Sequence, residues 1–112
     1  NTMNIICESF KNIKFPIAVF ACNDLMAFGV MNACKKMGYQ VPNQVSVIGF
    51  DNIAISNLVE PKLTTVDQNM YLLGENASRM LLDIIEKNNE KLQRKILNTK
   101  LIIRNSCAKI ID

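Results

Sequence analysis

The chain has 112 residues, 49% of them apolar, with 13 basic and 10 acidic side chains and a net charge of +3. That length suits one domain, and the apolar share is too high for a disordered chain. There is no His, which excludes imidazole acid–base catalysis and His-ligated metal sites, and no Lys/Arg run is dense enough to form a nucleic-acid footprint by itself. No metal ligand set, cofactor motif, CxxC pair, Walker loop or GxGxxG is present, so no cofactor is expected. The four cysteines, Cys7, Cys22, Cys34 and Cys107, are expected to be free buried thiols, as suits a reducing cytosol. No apolar run reaches about 18 residues, so no membrane span is expected. The opening NTMNIICESFKN does not have the pattern of a secretory signal.

In chain order, Met3–Asn12 predicts a helix with Thr2 as N-cap and Ile6, Phe10 and Ile13 on one face. Such a helix calls for a strand before it, so the chain reads as the C-terminal part of something longer. After Pro16, the continuous apolar run Ile17–Cys22 predicts a strand covered on both faces. Asn23 and Asp24 stand where that strand gives way to a helix, Leu25–Met37. Met26, Val30, Ala33 and Met37 form one stripe of it, and Leu25, Phe28 and Met31 widen the apolar arc. Lys35 and Lys36 complement the helix dipole, and Gly38 fits the left-handed C′ position. Gln40–Gln44 is a turn built on Pro42, and Val45–Phe50 is a second apolar strand that ends at Asp51.

Beyond it, Ile53–Pro61 reads as a loop or short helix with Leu58 and Val59 exposed, and Leu63–Val66 as a short strand. Asp67 is the expected cap of a long helix, Gln68 to about Lys87, ended by Asn88–Asn89. Its Met70, Leu73, Ala77, Leu81 and Ile84 recur at helical spacing. Gln93–Leu97 and Lys100–Arg104 read as short strands, with Lys91–Lys100 a solvated edge, and the tail to Asp112 reads as loose.

Two strands joined by a helical crossover run parallel, so their C-terminal ends share one sheet edge. Asn23, Asp24 and Asp51 therefore gather where open α/β sheets bind ligands.

The ND at a strand end, then MAFG, VPNQVSVIGFDN, LVEPKLTTVDQ, LG in the long helix and LIIRNS near the end together resemble the LacI/GalR-type bacterial transcriptional regulators, over roughly Phe15–Ser106. The resemblance implies an α/β fold: parallel-sheet βαβ layers of a periplasmic-binding-protein-like effector domain, its C-terminal portion only. Residues 1–62 would lie in the C-terminal lobe and 63–67 would cross between lobes. Residues 68–90 would supply a helix of the N-terminal lobe, and 91–112 the terminal strands and tail. A helix-turn-helix domain that contacts operator DNA would precede the lobes.

The resemblance also implies a small-molecule effector, sugar or purine-like, held by Asn23, Asp51, Gln68 and Met70. Each has a plainer alternative. Asn23 and Asp24 could serve as helix caps, and Asp24 is expected to be mainly structural. Asp51 could be a turn former, with Asn52 the turn residue proper. Core packing competes for Met70, which stands where the family often has a ring. Phe28, Leu58 and Val59 are the expected homodimer surface, with burial inside one chain as the alternative.

Three functions compete. The first is effector sensing and dimerisation in a cytoplasmic DNA-binding repressor. The second is a solute-binding protein of a sugar transport system, which shares the lobes but calls for few free thiols. The third is an enzyme on a flavodoxin-like sheet, which lacks a catalytic constellation; Cys22, with no His to activate it, reads as inert. The 112 residues are expected to self-associate or to need the rest of a longer chain.

Overall fold

The computed structural model describes residues 2–87 and 94–110. One four-stranded sheet organises it. Strand β1, Ile17–Phe20, is followed by helix α2, Asp24–Met37, and strand β2, Val45–Phe50; helix α1, Thr2–Phe10, precedes them. A 3₁₀ turn at Ala54–Asn57 leads to β3, Thr64–Asp67, then to α3, Met70–Lys87, and β4, Lys100–Ile102. The order is β1-β2-β3-β4, with β1, β2 and β3 parallel and β4 antiparallel to β3. The parallel β1–β2 pair joined by α2 is the expected unit, and β2 has the expected bounds.

The sheet is covered unevenly. Val45, Val47 and Gly49 are buried, while Ser46, Ile48 and Phe50 on the other face are half-buried. The apolar run predicts a strand covered on both faces, but β1 alternates and leaves Phe20 63% exposed. Among the described residues it is α2 that covers the sheet, on one face, which is why an all-apolar strand is half-wet. On that face α2 buries Ala27, Val30, Met31, Ala33 and Cys34 against Val45, Val47 and Leu63. The buried stripe is therefore turned from the expected one. Met26 is exposed and Met37 half-buried, because the Asp24 end of the helix is tied down under Ile53 and Ser56.

The capping chemistry of α2 is as expected. Asn23 Oδ1 accepts from Met26 N at 2.8 Å, and Gly38 takes φ 77° while its amide satisfies the last carbonyls. At the far end Phe10, Phe15 and Tyr39 stack edge-on and tilted, with centroids 4.8–6.2 Å apart. Ile6 and Phe10 are buried, but Ile13 lies past the end of α1 and is exposed, and Thr2 is the first helical residue rather than a cap. Gln44 N closes the expected turn on Gln40 O at 2.8 Å.

The C-terminal third departs most from expectation. Helix α3 starts at Met70, capped by Asn69 Oδ1 on Leu72 N at 3.1 Å, not by Asp67. Asp67 instead accepts from Asn69 N at 2.7 Å, which places the cap two residues later. The stripe Met70, Leu73, Ala77, Leu81 and Ile84 is present but exposed along its length. The Asn88–Asn89 stop and the start of the Gln93–Leu97 strand lie outside the described residues. Residues 94–97 form no strand, and β4 ends at Ile102, short of Arg104.

The tail is anchored rather than loose over Asn105–Ala108, and its last two residues lie outside the described ones. Val47 N donates to Ser106 O at 2.8 Å, and the Ser106 hydroxyl, fully buried, donates to Val47 O and accepts from Thr64 N. One small hydroxyl thus fills the gap where β2 and β3 diverge, leaving no orphan donor there. The described chain measures 58 × 27 × 26 Å, with a radius of gyration of 18.6 Å. A compact chain of this length would give about 13 Å. No described helix is long and apolar enough to cross a membrane.

Candidate functional site

Parallel pairing brings three strand ends to one edge. Asn23 follows β1, Asp51 and Asn52 follow β2, and Gln68 follows β3. Gln68 Nε2 donates to Asp51 Oδ1 at 2.6 Å, a charge-assisted bond across the edge. Both side chains are half-buried, so each keeps surface for a ligand.

Asp51 takes φ 107° and Asn52 φ 54°. A non-glycine residue held at positive φ costs about 1–3 kcal/mol and persists only where its surroundings over-determine it. Here they do. Asp51 N donates to Val66 O at 2.9 Å, and Asn52 N reaches Thr65 Oγ1 at 3.4 Å. Asn52 Nδ2 donates to Asp67 Oδ2 at 3.2 Å, and its carbonyl oxygen accepts from Arg104 Nη2 at 2.6 Å. Arg104 is itself fixed by Nη1 on Leu63 O at 2.7 Å and by its backbone amide on Thr64 Oγ1.

Asn23 does its capping duty with Oδ1, which leaves Nδ2 as the group a ligand could use. Met70 opens α3 just past Gln68 and is 57% exposed. Asp24, at the same edge, is wholly buried and serves the interior: it accepts from Ile53 N, Ser56 Oγ and Thr65 Oγ1. Cys22 is exposed beside Asn23, not buried as its apolar neighbours suggest. Cys34 is buried, and burial pushes its thiol pKa up from 9.0. Cys107 is half-buried with Sγ 3.3 Å from Val47 O.

Of the expected dimer residues, Leu58 is 78% exposed, whereas Phe28 and Val59 are half-buried. For Val59 this departs from the exposure that the loop sequence predicts. Val59 turns inward because its amide closes on Ile55 O at the end of the 3₁₀ turn. Phe28 and Val59 line a cleft of about 590 Å³ with Met31, Tyr39, Val41 and Pro61, with Lys35 and Glu60 also on its walls. Leu25, Met26 and Ile55 are also exposed. A second cleft, about 620 Å³, lies on the uncovered sheet face between β1 and Cys107–Ile110. It is the larger but largely apolar, and it contains none of the edge residues.

Sequence reasoning did not identify Arg104, Asp67 and Thr65 as the supports of the Asp51–Asn52 turn. One signal was available: Arg104 is the lone charge closing the apolar run Leu101–Ile103.

Residues 2–107 match the periplasmic binding protein-like domain family. The HTH-type transcriptional repressor PurR of Mannheimia succiniciproducens is 43% identical over 95 residues, covering 85% of this chain and 28% of that protein. Among solved structures, a LacI family transcriptional regulator from Enterococcus faecium with bound ribose superposes with a TM-score of 0.86 at 33% identity. The match covers 96% of this chain and 39% of that one. The lac repressor dimer bound to operator and an anti-inducer gives a TM-score of 0.80 at 31% identity, over 95% of this chain and 35% of that one. The chain thus spans well under half the length of these proteins.

Proposed function

Because this chain belongs to the periplasmic binding protein-like domain family, in company with LacI-type regulators, we propose that it is the C-terminal part of the effector-sensing domain of a DNA-binding transcriptional repressor. A small molecule binds at the strand-end edge, on Asp51, Gln68 and the free amide of Asn23, with Met70 packing against it. The observation that carries this reading is the Asp51–Gln68 pair on a strained, over-determined turn where three parallel strands end.

An ionised carboxylate held this way accepts from sugar hydroxyls or a purine amine. With Met in place of a ring, apolar contact rather than stacking closes that side. Binding shifts the closure of two lobes, and the shift reaches DNA through a homodimer and an operator-binding domain outside this chain. Residues 1–62 belong to one lobe and 63–67 to the crossing. Residues 68–90 belong to the opposite lobe, as the exposed stripe of α3 supports. Leu58 enters the cleft lined by Phe28 and Val59 of a second copy; such an isologous contact pairs knob and hole twice. The regulator works in the cytoplasm. Transport is the weaker reading, since the relatives are regulators by name.

Calorimetry of the full-length protein against ribose, cellobiose, nucleosides and free purines tests the site. With the ligand so found, Asp51→Asn keeps the shape, removes the charge and costs about 1.5–3 kcal/mol of affinity, the scale of a hydrogen bond to a charged group. Operator binding without ligand survives. Unchanged affinity in the folded variant rejects Asp51 as a contact.

A further inference from the structure

The loop that begins at Asp51 ends at Leu58, so one short segment carries both the ligand edge and the dimer knob. Asp24 holds that segment at two points. Its Oδ2 accepts from Ile53 N at 2.9 Å, two residues after Asp51, and from Ser56 Oγ at 2.5 Å, two residues before Leu58. Its Oδ1 accepts from Thr65 Oγ1 at 2.5 Å, and that same hydroxyl receives Asn52 N at 3.4 Å. The carboxylate is 0% exposed. No Lys or Arg is among these partners, so its burial depends on these donors and on its place in the first turn of α2. Even the space for it is provided: a Cβ at Gly49 would lie 2.2 Å from Oδ1. Helix capping does not account for this arrangement, because Asn23 already caps α2.

We propose that Asp24 is a positioning residue that couples the Asp51 end of the loop to its Leu58 end, so that ligand occupancy and dimer contact are read by one buried carboxylate. The inference rests on the reading of Asp51 as a ligand contact and of Leu58 as a dimer contact. If Ile53 shifts, it either abandons a buried charge or carries Ser56 with it, and the first option is the costlier. The loop therefore moves as one piece, and a disturbance at either end is felt at the other.

The test is hydrogen–deuterium exchange of the full-length protein, followed in peptides covering 51–53 and 56–59, alongside sedimentation. Ser56→Ala should speed exchange at 51–53, and Thr65→Val should speed it at 56–59, each by about 5-fold, the value of one ordinary hydrogen bond. Asp24→Asn should speed both. Adding either of the other substitutions to Asp24→Asn should then change nothing further at the distant end, as sites coupled through one group are non-additive. The dimer dissociation constant should rise by a similar factor in Ser56→Ala and Asp24→Asn.

The proposal is overturned if Ser56→Ala and Thr65→Val each disturb only their own end. It is equally overturned if folded Asp24→Asn lowers the melting temperature with exchange at both ends unchanged. Should Asp24→Asn fail to fold, the Ser56→Ala and Thr65→Val pair decides. The exchange measurements need neither ligand nor dimer. Unchanged ligand affinity in Asp51→Asn, or an unchanged oligomeric state in Leu58→Glu, would therefore count against the functional reading and leave the coupling to be judged separately.

Discussion

Helices α2 and α3 make opposite use of apolar sequence. The apolar residues of α2 are scattered over a wide arc, yet Ala27, Val30, Met31, Ala33 and Cys34 are all buried on the sheet. The apolar residues of α3 repeat at clean helical spacing, yet Met70, Leu73, Leu81 and Ile84 are 41–58% exposed. Periodicity records which face of a helix is suited to burial. It does not record whether the covering surface lies within the same 112 residues. Four such side chains, at about 1.5–3 kcal/mol each when fully buried, make the face of α3 a strong demand for a partner. The polar contacts of α3 include the exposed Glu75–Arg79 pair within the helix and, from outside it, Lys95 Nζ on Asn76 Oδ1 at 2.5 Å. Exposed pairs of this kind are worth well under about 1 kcal/mol.

The contrast can be broken hardest in the packed half. Gly49→Ala drives a Cβ to 2.2 Å from Asp24 Oδ1 and 2.9 Å from Leu63 Cδ2, both fully buried. A loss of about 3 kcal/mol or more is expected in urea unfolding, since neither neighbour is a free chain end. A loss under about 1 kcal/mol would show that the core around Asp24 is looser than its burial indicates.

Arg104→Gln comes next. It leaves Asn52 Oδ1 and Leu63 O without their guanidinium donor, at an expected cost of about 1.5–3 kcal/mol. Ligand affinity should fall with it, because Asn52 adjoins Asp51 on the strained turn. Arg104→Lys should recover little, since a single ammonium cannot reproduce the fork.

A smaller effect is set by pH. Burial holds the Cys34 thiol pKa above its ordinary 9.0. The unfolded chain then ionises first as pH rises, so the contribution of Cys34 to stability is complete below about pH 9 and is lost above it. Urea midpoints at pH 8 and pH 10 should therefore differ more for the native sequence than for Cys34→Ala. Equal differences in the two would remove Cys34 as the cause. The same burial makes Cys34 reactive with a disulfide reagent only on unfolding, whereas the exposed Cys22 should react in the folded chain.

The smallest effect belongs to α3. In the 112-residue chain, Leu81→Lys should cost less than about 0.5 kcal/mol, as exposed substitutions do, while reducing self-association. A cost above about 1 kcal/mol would mean that α3 is covered within this chain.

The sequence by itself determined the elements whose causes are local. The apolar run Val45–Phe50 defined β2, Asn23 and Gly38 bounded α2 through capping and left-handed geometry, and the βαβ order placed Asn23 and Asp51 at one edge. Only the tertiary structure decided matters that depend on distant chain. These include β1 being covered on one face and the tail being pinned through Ser106 between β2 and β3. They also include the partners of Asp51 and Asn52, which come from Gln68, Asp67 and Arg104, 15 to 52 residues away. Helix and strand signals are carried by neighbours a few residues apart, whereas hydrogen bonds of that sequence separation exist only once the sheet has aligned its strands.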